Sequence, residues 1–177
     1  MTAKEQIWIA RDIPKCSGCR MCEIACSLHH ENKIWPEASR VRVFMLVPGA
    51  EYPHLCTQCH DYPCIESCPF DALSIDETTS AVIVDKEKCT SCKLCIPACP
   101  GRVPFLHPGD NKAVICDLCG GDPQCVKICT EGNWDVLRVV ERVEDNRYSH
   151  RLYAKRPEEV TKDLVTIIYG ERGEELI

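Results

Sequence analysis

Apolar residues in this chain come in short alternating runs, separated by polar and proline-bearing turns. Ile7 and Ile9, Val41 to Val47, Val82 and Val84, and Val114 with Ile115 read as brief strands. Leu73 to Val84 holds two such runs around the polar stretch Asp76 to Ser80, which predicts a hairpin. One segment follows the helical period instead. Pro157 to Gly170 opens on proline and two glutamates, ends at glycine, and sets Val160, Leu164, Ile167 and Ile168 on one face. Brief strands mixed with short helices predict an α+β class.

So few apolar residues bury little. The 177 residues include 3 Trp, 3 Phe and 5 Tyr, against 16 Cys. A thin hydrocarbon core and a cysteine content near nine per cent point to a scaffold held by something other than apolar packing. The cysteines fall in four groups of four: Cys16, Cys19, Cys22 and Cys26; Cys56, Cys59, Cys64 and Cys68; Cys89, Cys92, Cys95 and Cys99; Cys116, Cys119, Cys125 and Cys129. This is the iron-ligand set for four 4Fe-4S clusters. The first and third groups both read C-x2-C-x2-C-x3-C, the bacterial ferredoxin run in which the last cysteine serves the other cluster of a pair. They also align beyond their cysteines, Lys15 to Cys26 against Lys88 to Cys99, so the chain is internally duplicated. The second and fourth groups are looser, with Pro63 and Pro123 before their third cysteine. The residues from third to fourth cysteine of each group are expected to start short helices.

Two other uses of cysteine compete with iron. A structural zinc-binding module takes two ligands from each of two knuckles and does not call for this third and fourth cysteine, repeated four times. A disulfide framework suits an oxidising compartment. The N-terminus, Met1 to Ala10, shows no secretory pattern, and no run approaches the roughly 20 apolar residues of a spanning helix. The expected setting is therefore soluble and cytoplasmic, with no direct membrane insertion. The net charge of -6 falls to roughly -14 if each cluster with its four thiolates contributes about -2. Such a chain repels nucleic acid and favours a basic face on a protein partner.

No nucleophile-base motif, phosphate loop or dinucleotide fingerprint is present; Gly120 and Gly121 lie inside a cysteine group. The chain is not expected to be catalytic alone. Lys15, Arg20, Lys88, Lys93, His54 and His60 lie near the cysteines, as tuning groups or as solvated surface. His29 and His30 match no motif and receive no role.

The four-group layout from about Ile7 to Val140 resembles the electron-transfer subunits of molybdenum and tungsten oxidoreductases, which include the iron-sulfur subunits of dimethyl sulfoxide reductase and formate dehydrogenase. Cys68-Pro69 and Cys99-Pro100 match the ferredoxin ending, whereas Cys26-Ser27 and Cys129-Thr130 depart from it. The stretch Cys116 to Cys129 looks most like the small ferredoxin-like subunits that accompany tungsten enzymes of the aldehyde:ferredoxin oxidoreductase family, including the tungsten-dependent benzoyl-CoA reductases of anaerobic metabolism. The resemblance implies a crossed pairing. Cys16, Cys19 and Cys22 would take Cys129; Cys116, Cys119 and Cys125 would take Cys26; Cys56, Cys59 and Cys64 would take Cys99; Cys89, Cys92 and Cys95 would take Cys68. It further implies two ferredoxin-like dicluster halves in residues 1–140, a linear relay with the first-group cluster nearest a tungsten- or molybdenum-pterin catalytic subunit, and a further redox subunit or ferredoxin at the other end. Residues 141–177 form a C-terminal extension with the amphipathic helix, serving as a packing element or a docking arm. A free soluble polyferredoxin is the alternative without a permanent partner.

Overall fold

The computed structural model describes residues 6–141 and 154–176. Within them the strands pair only in twos. β1 (Ile7–Arg11) lies antiparallel to β8 (Leu137–Glu141), with Ile7 opposite Glu141 and Arg11 opposite Leu137. β2 (Arg42–Met45) pairs with β3 (Glu51–His54), β4 (Leu73–Ile75) with β5 (Val82–Val84), and β6 (Phe105–Leu106) with β7 (Ala113–Val114). The predicted hairpin is present: Asp76 accepts from the amides of Thr78 and Thr79 and turns the chain back into β5. β3 escaped the alternation because Pro53 interrupts it. In a two-stranded ribbon, both strands are edges, where a residue lacking an N–H is tolerated.

Each cysteine group leads into a helix, as the spacing predicts. α1 spans Met21–Glu31, α2 Pro63–Glu66, α3 Cys95–Ala98 and α4 Gln124–Glu131. α1 packs on α4 beside the β1–β8 ribbon, while α2 packs on α3 beside β4–β5 and β6–β7. The inner half is thus threaded between the two ends of the outer half. This is the expected α+β ferredoxin-like class. Each half has its own core, and both cores are built partly of cysteine. Ile9, Val41, Leu55, Leu118 and Leu137 surround Cys22, Cys26, Cys116, Cys125 and Cys129. Ala72, Leu73, Val82 and Ile115 surround Cys64, Cys89 and Cys95.

A third apolar cluster contains no cysteine. Val160, Leu164 and Val165 of α5 (Pro157–Tyr169) pack on Val47, Ala50 and Tyr52 of the β2–β3 ribbon. The predicted helix forms, but its inner face is turned from the expected one: Thr161 and Val165 are buried, while Ile167 and Ile168 are exposed. Thr161 can face inward because its hydroxyl donates to the Pro157 carbonyl at 2.9 Å. No helix among the described residues is long and apolar enough to cross a membrane.

Candidate metal centres

All sixteen cysteines lie in the described residues and none is in a disulfide. Their positions follow from a backbone feature common to the four groups. The residue two after the first cysteine is left-handed in every case: Gly18 at φ +69°, Gln58 at +50°, Ser91 at +63° and Leu118 at +55°. Three of these are not glycine. A left-handed side-chain-bearing residue costs roughly 1–2 kcal/mol, so the loops adopt this turn against local preference. What the turn achieves is orientation of the amide. Gly18 N–H donates to the Cys16 sulfur, Gln58 N–H to Cys56 Sγ at 3.4 Å, and Leu118 N–H to the Cys116 sulfur. Such inward-pointing amides make an anion-binding concavity. At Cys89 the donor comes from another element, Ala113 N–H, at 3.4 Å.

The fourth cysteines cross between groups. One cavity is lined by Cys16, Cys19, Cys22 and Cys129. A second is lined by Cys56, Cys59, Cys64 and Cys99, and a third by Cys68, Cys89, Cys92 and Cys95. Cys26 lies with the fourth group: its charge raises the pKa of Cys116, Cys119 and Cys125. Each last cysteine reaches its place at the end of a helix, and α1 against α4 and α2 against α3 bring the exchanged ends together.

These sites hold sulfur and little charge: Arg20 lines one cavity and Lys93 another. No carboxylate or imidazole lines the three cavities. Burial pushes Cys22 and Cys64 up to about 12 and Cys95 and Cys119 to about 11. Burial also raises Cys56, Cys116 and Cys125, and neighbouring thiols add to the rise in each case. Four converging thiolates with at most one cation beside them, Arg20 at the Cys16 cavity and Lys93 at the Cys89 cavity, require a cationic core. A 4Fe-4S cluster fits this donor set: its 2+ core supplies the charge, and the N–H donors stabilise the sulfurs.

Several amides outside the turns contribute. Arg40 N–H donates to Cys26 Sγ at 3.2 Å, and the amides of Val103, Gly101 and Arg102 face the Cys99 sulfur. His54 supports the latter loop through a 2.8 Å hydrogen bond to the Gly101 carbonyl; burial, then Arg11, lowers its pKa to about 4, so the imidazole is neutral and Nε2 donates. The cationic candidates are more peripheral. Lys15 pairs with Asp12 at 2.7 Å, Arg20 with Glu23 at 3.3 Å and Lys88 with Asp85 at 3.6 Å, while Lys93 and His60 are exposed. Sequence spacing missed His30, whose Nε2 lies 3.7 Å from Cys119 Sγ and 3.4 Å from Asp117 Oδ1. The contact joins residues 89 positions apart, and no local pattern announces it.

Comparison with known proteins agrees with this chemistry. A 4Fe-4S dicluster domain matches residues 49–138, and a 4Fe-4S binding domain matches residues 14–28. The aliphatic sulfonate oxidoreductase, polyferredoxin-like subunit of Pyrococcus furiosus is 52% identical, over 95% of this chain and 96% of that protein. Protein NrfC of Escherichia coli is 33% identical over 72% of this chain, which spans 65% of that protein. A chain in the solved structure of the active site complex BamBC of benzoyl coenzyme A reductase is 26% identical, over 96% of this chain and 94% of that one, with a TM-score of 0.46. With dicluster-domain sequence across half its length and a polyferredoxin-like relative aligned nearly end to end, the chain belongs to the family of 4Fe-4S dicluster, ferredoxin-like proteins.

Proposed function

We propose that this chain is an electron-transfer subunit, not catalytic alone, that holds four 4Fe-4S clusters and relays single electrons between a tungsten- or molybdenum-pterin catalytic subunit and a further redox subunit or ferredoxin. The ligand sets are Cys16, Cys19, Cys22 and Cys129; Cys26, Cys116, Cys119 and Cys125; Cys56, Cys59, Cys64 and Cys99; and Cys68, Cys89, Cys92 and Cys95. The observation that carries the reading is the crossed lining of the cavities, three cysteines from one group and one from another. Each bound cluster would supply one-electron chemistry. The chain's own residues ligate, donate N–H groups to sulfur and surround the sites with apolar side chains.

A linear order is supported by which thiols feel one another across sets. Cys125 senses Cys22, Cys56 senses Cys116, and Cys64 senses Cys95. That order runs from the Cys16 set through the Cys116 and Cys56 sets to the Cys89 set. Cys19 and Cys92, in the two terminal sets, are the exposed cysteines. In this reading electrons enter and leave there, with the Cys16 end facing the catalytic subunit in a cytoplasmic complex. The 52% identical relative favours an aliphatic sulfonate, over an aldehyde or benzoyl-CoA, as the class of substrate handled by that partner.

The test is elemental analysis of protein affinity-purified without oxygen from its native host, together with whatever copurifies. Near sixteen irons per chain, with tungsten or molybdenum in a larger companion, is the expected result. Iron without a companion would favour a free carrier, and zinc without iron would refute the proposal.

A further inference from the structure

The two halves of the molecule meet at Gln58. This side chain is fully buried, a setting in which an amide is costly unless both of its ends are hydrogen-bonded. Both ends are bonded, and to different halves. Nε2 donates to the Cys116 carbonyl at 2.8 Å, in the outer half. Oε1 accepts from Val82 N–H at 3.2 Å, on strand β5 of the inner half. The backbone of the same residue is in the left-handed turn and donates its N–H to Cys56 Sγ at 3.4 Å. One residue therefore touches a sulfur of one quartet, the backbone of a ligand of the next, and the hairpin packed beneath them. At this junction Cys116 is buried and Cys56 partly buried.

We propose that Gln58 is a positioning residue that fixes the separation and relative orientation of the two middle clusters, and so sets electron passage between the halves. This rests on the four-cluster reading above. The physical case is geometric. The loop carrying Cys56 and Cys59 and the loop carrying Cys116 and Cys119 belong to different halves.

 Apolar contact is non-directional and leaves the register between two such loops undefined. Two hydrogen bonds from one amide define it in both distance and direction.

The experiment compares Gln58→Asn with the parent holoprotein, purified without oxygen. Asparagine tolerates the left-handed backbone and keeps the Cys56 N–H donor, but its amide is one methylene too short to span Val82 and Cys116. Iron content and the electron paramagnetic resonance spectrum of the fully reduced protein are read together. The expected result is unchanged iron with altered magnetic splitting between neighbouring clusters and slower one-electron re-equilibration along the chain. Thr161→Ala is the structural control. It removes a buried hydroxyl that donates to the Pro157 carbonyl at 2.9 Å, in the helix packed through the cysteine-free cluster, and is expected to lower stability without changing the splitting. Unchanged splitting in Gln58→Asn at full iron overturns the proposal while leaving the four-cluster reading intact. Parent protein with far fewer than sixteen irons overturns that reading instead. If Gln58→Asn loses iron, Gln58→Met, which keeps the length and drops both hydrogen bonds, is read by the same two criteria.

Discussion

Replacing Leu164 with alanine separates the two roles open to the C-terminal helix. Leu164 is 3% exposed, and its neighbours in the cluster, Val165 at 0% and Tyr52 at 1%, are equally enclosed. Truncating a leucine in such a site costs about 2–5 kcal/mol, the lost transfer energy plus the cavity left behind. At about 3 kcal/mol, the opening equilibrium of α5 from the β2–β3 ribbon rises roughly 100-fold. This cluster includes no cysteine, so the iron sites are not part of the loss. Hydrogen exchange on the iron-loaded protein is the assay. Amides of α5 should exchange roughly 100-fold faster, while those of α1 and α4, with the iron content and visible spectrum, stay as in the parent. Unchanged exchange in α5 would refute the reasoning, because the helix would then not be held by this packing. Loss of iron would refute it differently, by making the cysteine sites dependent on the third cluster.

Cys16→Ser should remove a ligand at one end of the relay, lowering iron by about one cluster and electron flow to the natural partner more than folding; normal turnover would count against a linear relay. Gly18→Ala places a side chain at φ +69°, where its Cβ would meet Glu51 Cγ at 2.7 Å. The strain is about 1–2 kcal/mol and should appear as a lower thermal midpoint with a shifted signal from the cluster at Cys16. Burial would raise the Glu31 carboxyl, but Arg40, at 2.8 Å, and then His107 outweigh it and hold the group below its ordinary value. Its contribution is therefore fully present above about pH 4.3 and lost as pH falls through the lowered value. Glu31→Gln should lower the thermal midpoint at pH 7, with the gap to the parent constant down to about pH 4.3 and closing only below it. Stripping the iron with a chelator should collapse both cysteine-bearing cores, read as loss of dispersed amide signals in NMR, since Cys22, Cys26, Cys116, Cys125 and Cys129 lie inside one and Cys64, Cys89 and Cys95 inside the other.

Spacing and local patterning sufficed to read the chemistry and the local elements. Cysteine spacing is a local property: three thiols within seven to ten residues can face one object only if the loop turns tightly, and the step of four residues from the third to the fourth is one helical turn. That is why α1 to α4 and the Asp76 hairpin are legible in the sequence, as is the α5 segment between its proline and its glycine. The contacts between distant parts of the chain emerge only in the folded molecule. β8 exists because β1 offers it a partner 130 residues away, and its own Leu137–Glu141 sequence alternates too weakly to announce a strand. The inner face of α5 is Val160, Thr161, Leu164 and Val165 because the β2–β3 ribbon presents Val47 and Tyr52 at that angle, whereas helical periodicity alone allows several neighbouring faces. The same holds for His30 beside Cys119 and for Gln58 between Val82 and Cys116. A hydrogen bond across 58 residues leaves no periodic trace, because it depends on where two separately folded loops come to rest.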